Sequence, residues 1–250
     1  TGLITTQGFR DVLEFRRVRF PELYNLSYIK PKPLVQRRDR LEVIERVSAD
    51  GSIRVHLDEP SVVNAAKKLK ERGVTAVAIC LLHSYINPVH EKRTEEIVRS
   101  IMPPGTFICS SYEVLPEIRE YERTSTTVVN AYLGPVLSHY LFQLRKKLDD
   151  INLKSPLYVM QSGGGQMSAK AALNLPAYFV ESGPAAGIVA AAQIAKQAGL
   201  DQIITLDIGG TTAKTGIIEN GEPSRTTEYE VGAGINLSSK LVKGAGYAIK

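Results

Sequence analysis

Residues 74–82 read VTAVAICLL, nine residues without a charge. A half-solvated strand alternates apolar and polar residues, whereas an unbroken apolar run belongs to a strand covered on both faces. Helical patterns flank this run. DEPSVVNAAKKLKERG (58–73) has Asp58 as a cap, Pro60 in the first turn and Gly73 as a stop. Its apolar stripe is Val62, Ala65, Ala66 and Leu69. PVHEKRTEEIVRSI (88–101) predicts a second helix and TFICSS (106–111) a second strand. Helix–strand–helix–strand order with doubly covered strands predicts an α/β layer fold.

The rest of the chain follows the same punctuation. Residues 2–20 predict a short strand, a loop at Gly8 and a helix, and the Pro- and Arg-rich residues 21–40 an irregular connection. LEVIERVSADGSIRVHL (41–57) predicts a hairpin around Asp50-Gly51. Residues 126–148 carry a long helical pattern that Gly134-Pro135 should kink or split. PLYVMQSGGGQMS (156–168) predicts a strand, a glycine turn and a helix starting at Ser168. AYFVESGPAAGIVAAAQIAKQAGL (177–200) repeats the plan with a strand, a turn and a small-residue helix ending at Gly199. Residues 202–231 predict three strands, the last two joined at Asn220-Gly221. The shift in pattern near residue 120 divides the chain into 1–124 and 125–250.

Charge narrows the function classes. Residues 1–125 hold 20 Lys/Arg against 17 Asp/Glu, and residues 126–250 hold 11 against 9. Neither half has the concentrated basic stripe of a nucleic-acid surface. No apolar run approaches the roughly 18–20 residues that span a bilayer, so no membrane role is expected. Cys80 and Cys109 lie in apolar runs without Cys-x-x-Cys spacing, which suits buried thiols in a reducing, cytoplasmic setting. The sequence starts without Met and ends within an apolar pattern, and is expected to be a fragment of a longer protein.

The chemistry is expected at TLDIGGTTAKTGIIENGE (205–222), two apolar strands around a bare turn. Gly209 and Gly210 let the backbone approach a bulky anion, and successive N–H groups there can bind phosphate oxygens. Thr211 and Thr212 add hydroxyl donors. Asp207 at the strand end suits Mg²⁺, commonly through water, since Mg²⁺ takes one or two carboxylates plus phosphate oxygens. Lys214 lies two residues past Thr212, on the alternation that points back to the same side. The spacing is not that of a P-loop. A glycine-rich hairpin whose Asp bonds its own turn is the structural alternative.

The hairpin resembles a phosphate motif of the actin-like ATPase superfamily. More narrowly, the chain resembles the hydantoinase A/5-oxoprolinase family, closest to its N-methylhydantoinase A-type members. The carrying segments are LITTQGFRDVLEF, AVAICLLHSYINPVHE, SSYEVLPEIREYERTSTTVVNAYLGPV, YVMQSGGGQMS, ESGPAAGIVAA and LDIGGTTAKTGIIENGEP. The resemblance implies ribonuclease-H-like, actin-like ATPase lobes, incomplete in this fragment, with ATP held between them. It places a first phosphate hairpin before Thr1 and an adenosine segment beyond Lys250. It puts Asp207, Gly209, Gly210 and Thr211 on the second hairpin and makes Gly183–Gly199 a hinge helix. It also implies ATP and Mg²⁺ as cofactors, a small cyclic-amide substrate and a B-type partner subunit. Many members carry Ser-Thr-Asp after Gly-Gly-Thr; here Thr212-Ala213-Lys214 stands instead, which makes Lys214 a phosphate-facing or structural residue rather than a metal ligand.

The implied activity is ATP-dependent opening of a hydantoin- or 5-oxoproline-type ring through phosphorylation of the amide oxygen. Asp207 is the residue expected to be catalytic. The alternatives are an ATP-dependent ketone carboxylase subunit and a non-catalytic nucleotide switch; this piece alone is expected to be inactive. Other candidates carry less. His83 and His90 lack zinc-site spacing, and a capping or core hydrogen bond suits His83 better than a substrate contact. Glu117, Glu120 and Glu122 with Arg119 and Arg123 read as a solvated face with a capping box at Thr124–Thr127, rather than as general acids or bases. Ser162 lacks a G-x-S-x-G elbow.

Overall fold

The computed structural model describes residues 1–17, 24–27, 29, 32–210, 213–227, 229–231 and 247–250. They fall into two compact units, Thr1–His139 with Glu228–Lys250, and Tyr140–Thr227.

The first unit is built on a parallel sheet. Strand β1 (Gly2–Thr6) is followed by a short helix α1 (Val12–Phe15) and by β2 (Arg40–Val43). Strands β3 (Arg46–Val47) and β4 (Ile53–Val55) make a small antiparallel ribbon. Then come helix α2 (Glu59–Glu71), β5 (Ala76–Cys80), α3 (Val89–Ile101) and β6 (Phe107–Ser110). The sheet order is β2-β1-β5-β6, every pair parallel. All five residues of β5 are buried, as the unbroken apolar run requires. Helix α2 is capped as expected: Asp58 accepts from the Ser61 amide at 3.0 Å, and Gly73 follows with φ 67°. Its stripe joins Ile4, Val43, Val77, Ile79, Ile97 and Val98 in the core.

One expected pairing is redrawn. The segment expected to open a hairpin at residue 41 instead enters the parallel sheet, with Leu41 opposite Ile4 and Val43 opposite Thr6. Only its second half turns back as β3–β4. Burial on a long-range parallel edge outweighs the local turn signal, which specifies the turn and not the length of the arms.

Helix α4 (Ser111–Val114) leads to α5, which runs unbroken from Glu120 to Asp150 with Pro135 inside. The helix is therefore not split at Gly134-Pro135. Pro135 only removes the bond to the Ala131 carbonyl. Gly134 is buried, and a Cβ there would lie 2.4 Å from the Phe107 ring of β6.

The second unit starts with a hairpin of β7 (Tyr158–Met160) and β8 (Gln166–Ser168) around the triple glycine, followed by α6 (Ala169–Ala172) capped by Ser168. The expected strand at Ala177–Val180 is absent; Pro176–Phe179 forms a 3-10 turn. Pro176 at the first position fixes a turn-like φ and withholds the N–H a ladder would use. Helix α7 (Ser182–Gln197) packs on an antiparallel sheet of order β11-β10-β9, where β9 is Gln202–Ile208, β10 Ala213–Glu219 and β11 Glu222–Pro223. Asn220 and Gly221, both at positive φ, turn β10 into β11. Strands β12 (Tyr229–Val231) and β13 (Tyr247–Ile249), which belong to the first unit, pair antiparallel. Among the described residues, no helix is long and apolar enough to cross a membrane.

Candidate functional site

The hairpin of β9 and β10 places the expected residues with a defined register. Asp207 is opposite Lys214, and Ile208 opposite Ala213 is the last pair of the ladder. Asp207, Gly209 and Gly210 are exposed. A Cβ added at Gly210 would meet no heavy atom within 4 Å, so the backbone there faces open space. Thr211 and Thr212 lie outside the described residues. Lys214 is half-buried, and its Nζ pairs with the Glu181 carboxylate. Side chains of directly opposed residues leave a ladder on one face. Asp207 and Lys214 therefore share a face with Thr205 and Gly216, where Ile188 of α7 packs.

The donor set suits a polyphosphate with its cation. Mg²⁺ completes its shell from phosphate and water and needs one or two protein carboxylates. Asp207 is an exposed carboxylate beside an unobstructed glycine backbone. Among the described residues no group of three or more His, Cys, Asp or Glu side chains could hold a metal by themselves, so a metal here would be shared with phosphate oxygens.

The carboxyl edge of the parallel sheet is the other place where an α/β fold holds ligands. The chain leaves β1 toward β2 and leaves β5 toward β6, so the connections diverge between β1 and β5. That position is filled by the protein's own groups. Thr6 Oγ1 accepts from the Leu82 amide at 2.9 Å and donates to Glu45. Glu45 also meets His90 Nδ1 at 2.8 Å. Glu91 is fully buried; Oε1 accepts from the Leu81 amide at 2.7 Å and from Ser111 Oγ at 2.6 Å, and Oε2 from the Tyr112 amide at 2.9 Å. Burial pushes the Glu91 carboxyl up, against these donors and the nearby Arg123 charge. Arg123 donates to the Leu81 carbonyl at 2.7 Å and lies 5.3 Å from the Tyr85 ring centroid.

These contacts revise the secondary candidates. Glu117, Arg119 and Glu120 are exposed, as a solvated face requires, but Glu122–Thr127 is buried throughout and lies inside α5, so it neither extends that face nor caps the helix. Glu122 pairs with Arg17 at 2.6 Å, and Thr127 Oγ1 bonds the Arg123 carbonyl at 2.7 Å. Glu117 pairs with Lys250. His83, at φ 55°, uses Nδ1 on the Val47 carbonyl at 2.8 Å, a loop-holding contact. Ser162 Oγ bonds the Tyr178 carbonyl at 2.7 Å. Cys109 is buried with its thiol pushed up to about 12. Glu181, absent from the expected site, is placed there by the fold; its pairing with a residue on another element left no local signal.

A family model described as Hydantoinase/oxoprolinase matches residues 123–247, and one for the Hydantoinase/oxoprolinase N-terminal region matches residues 1–102. A protein of Methanocaldococcus jannaschii is 46% identical over all of this chain and 36% of its own length. Caprolactamase subunit alpha of Pseudomonas jessenii is 35% identical over 98% of this chain and 36% of its own length. The nucleotide-free structure of acetone carboxylase, described with ATP-dependent acetone carboxylation, superposes over the whole chain with a TM-score of 0.80 at 26% identity, covering 34% of that chain. The chain thus spans little more than a third of these relatives. The actin-like ATPase fold expected from the sequence is the fold found. With both family models matched in order along it, the chain belongs to the hydantoinase/oxoprolinase family.

Proposed function

We propose that the whole protein opens a cyclic amide of the hydantoin or 5-oxoproline type at the expense of ATP, in the cytoplasm and with a B-type partner subunit. The observation that carries this reading is the exposed Asp207 two residues before the exposed Gly209-Gly210 pair, with open space at Gly210, in a family whose members hydrolyse or carboxylate with ATP. The named subunits among the relatives support a partner. Residues 1–124 and 125–250 are proposed to belong to successive lobes.

An unstrained five-membered amide resists water because its nitrogen leaves poorly. ATP, when bound, supplies the phosphoryl group that activates the amide oxygen, so that water attacks the amide carbon. The chain's part is positioning and charge. The Gly209 and Gly210 backbone would hold phosphate oxygens, and Asp207 would orient the accompanying Mg²⁺, commonly through water. Lys214 would offset charge beside them. Preorganised groups of this kind contribute most of the effect in phosphoryl transfer.

A second reading is favoured by one observation: the 0.80 TM-score to acetone carboxylase. There the same hairpin would serve activation of bicarbonate for transfer to a ketone. Substrate-stimulated ATP hydrolysis by the full-length complex separates the two. Stimulation by hydantoins or 5-oxoproline is the expected result; stimulation by ketone plus bicarbonate alone selects the carboxylase. ATP binding without either stimulation selects a nucleotide switch. Asp207→Ala is expected to lower stimulated turnover by roughly 10²-fold or more with little loss of stability, because its side chain is exposed. Large destabilisation with normal turnover would assign Asp207 a structural role.

A further inference from the structure

Glu181 occupies the N-cap of α7 in the left-handed region, φ 63° and ψ 20°, and its side chain does not cap the helix. A non-glycine residue held there is strained, and strain of this kind persists only where surrounding structure enforces it. The carboxylate reaches the ammonium of Lys214. Lys214 faces Asp207 across the ladder, one pair in from Ile208–Ala213. Glu181 therefore ties the start of α7 to the arm of the candidate phosphate hairpin. Both side chains keep about a third of their surface exposed, 32% and 35%. An ion pair exposed to this degree is held weakly and exchanges partners readily.

We propose that Glu181 and Lys214 form an exchangeable pair belonging to the phosphate site. With the site open, the ammonium rests on Glu181. A polyphosphate seated on the Gly209-Gly210 backbone draws the ammonium to its oxygens. The released Glu181 carboxylate then joins Asp207 in facing the cation that accompanies the polyphosphate. The exchange rests on the nucleotide reading above and adds Glu181 to the residues that read the bound state. It also accounts for a lysine at position 214: a positive arm needs a resting partner when no anion is present, and Glu181 supplies it.

The test measures ATP affinity of the full-length protein by calorimetry, in excess Mg²⁺ and in EDTA. The wild type is expected to bind ATP more tightly with Mg²⁺. Glu181→Gln removes the resting partner and one carboxylate. It should tighten metal-free ATP binding by about 3-fold or more and shrink the Mg²⁺ preference by about 10-fold. Lys214→Met should weaken metal-free binding by about 10-fold. The swap E181K/K214E keeps an ion pair, so a purely structural clamp predicts wild-type affinities for it. The exchange predicts that the swap loses ATP binding, because a carboxylate then stands on the hairpin. Wild-type affinities and Mg²⁺ preference in both E181Q and the swap would overturn the exchange while leaving the nucleotide reading intact. A wild-type protein that binds ATP in neither condition overturns the nucleotide reading and the exchange with it. E181Q, which only neutralises a half-exposed group, decides the matter where the swap does not fold.

Discussion

Cys109 sits in β6 with its Sγ 3.6 Å from the Thr127 carbonyl, 5% exposed. Burial disfavours its thiolate and pushes the thiol up to about 12. The sign follows directly: below that pH the group stays protonated, and only the thiolate is a nucleophile. At pH 8 roughly one molecule in 10⁴ would carry the thiolate. Alkylation by iodoacetamide is therefore expected to be negligible in the native chain at pH 8 and rapid once denaturant exposes the site. Rapid native labelling of Cys109, read by peptide mass spectrometry, would instead mark it as reactive. The buried thiols were legible in their apolar sequence surroundings. The buried charges were not. Glu122 and Arg123 look like surface residues because charge alternation usually faces water; their partners are Arg17 and the Leu81 carbonyl, 105 and 42 positions away. A local pattern cannot reveal a distant partner, and the partner decides whether a charge can be buried. At the site the same division holds. Asp207, Gly209 and Gly210 follow from a strand-turn-strand pattern, whereas Glu181 enters through a contact 33 residues along the chain.

Among the elements, α5 shows how close approach is bought by one missing side chain. Gly134 in its middle lies against Phe107 of β6, where an added Cβ would fall 2.4–2.5 Å from three ring atoms. Gly134→Ala must therefore move the helix or the ring, although alanine is the better helix former. Overpacking of this kind costs about 1–3 kcal/mol, more than the roughly 1 kcal/mol gained in propensity. Urea unfolding is expected to show net destabilisation, and an alanine variant at least as stable as wild type would show that Phe107 gives way freely. The same helix explains a limit of sequence reading. Glycine and proline together read as a break, but packing against the sheet holds the helix across them. Helix α2 was legible to its ends because Asp58, Pro60 and Gly73 act within a turn of the chain. The pairing of β2 with β1 was not, because it joins residues 37 apart.

Across the molecule, burial is uneven, and the candidate site lies where it is thinner. Leu3, Ile4, Val77 and Ile79 in the parallel sheet are 0% exposed. In the second unit β9 is an edge strand, and Ile204, Leu206 and Ile208 on its outer face are 77%, 63% and 70% exposed. Local opening costs least where few apolar groups leave contact, and elements that admit ligands are drawn from that end of the range. Hydrogen exchange on this 250-residue chain is therefore expected to be faster, by about 10²-fold, at the paired amides of β9 and β10 than at those of β1 and β5. Polyphosphate seated on the hairpin would slow exchange selectively at residues 203–218, since a ligand that binds only the closed form adds its binding free energy to the cost of opening. Adding ATP to the full-length protein should then protect β9–β10 while leaving β1 and β5 unchanged. Equal protection of both sheets without ligand would show that the outer face of β9 costs nothing in local stability. Unequal protection that ATP does not alter in the full-length protein would place the nucleotide away from Asp207.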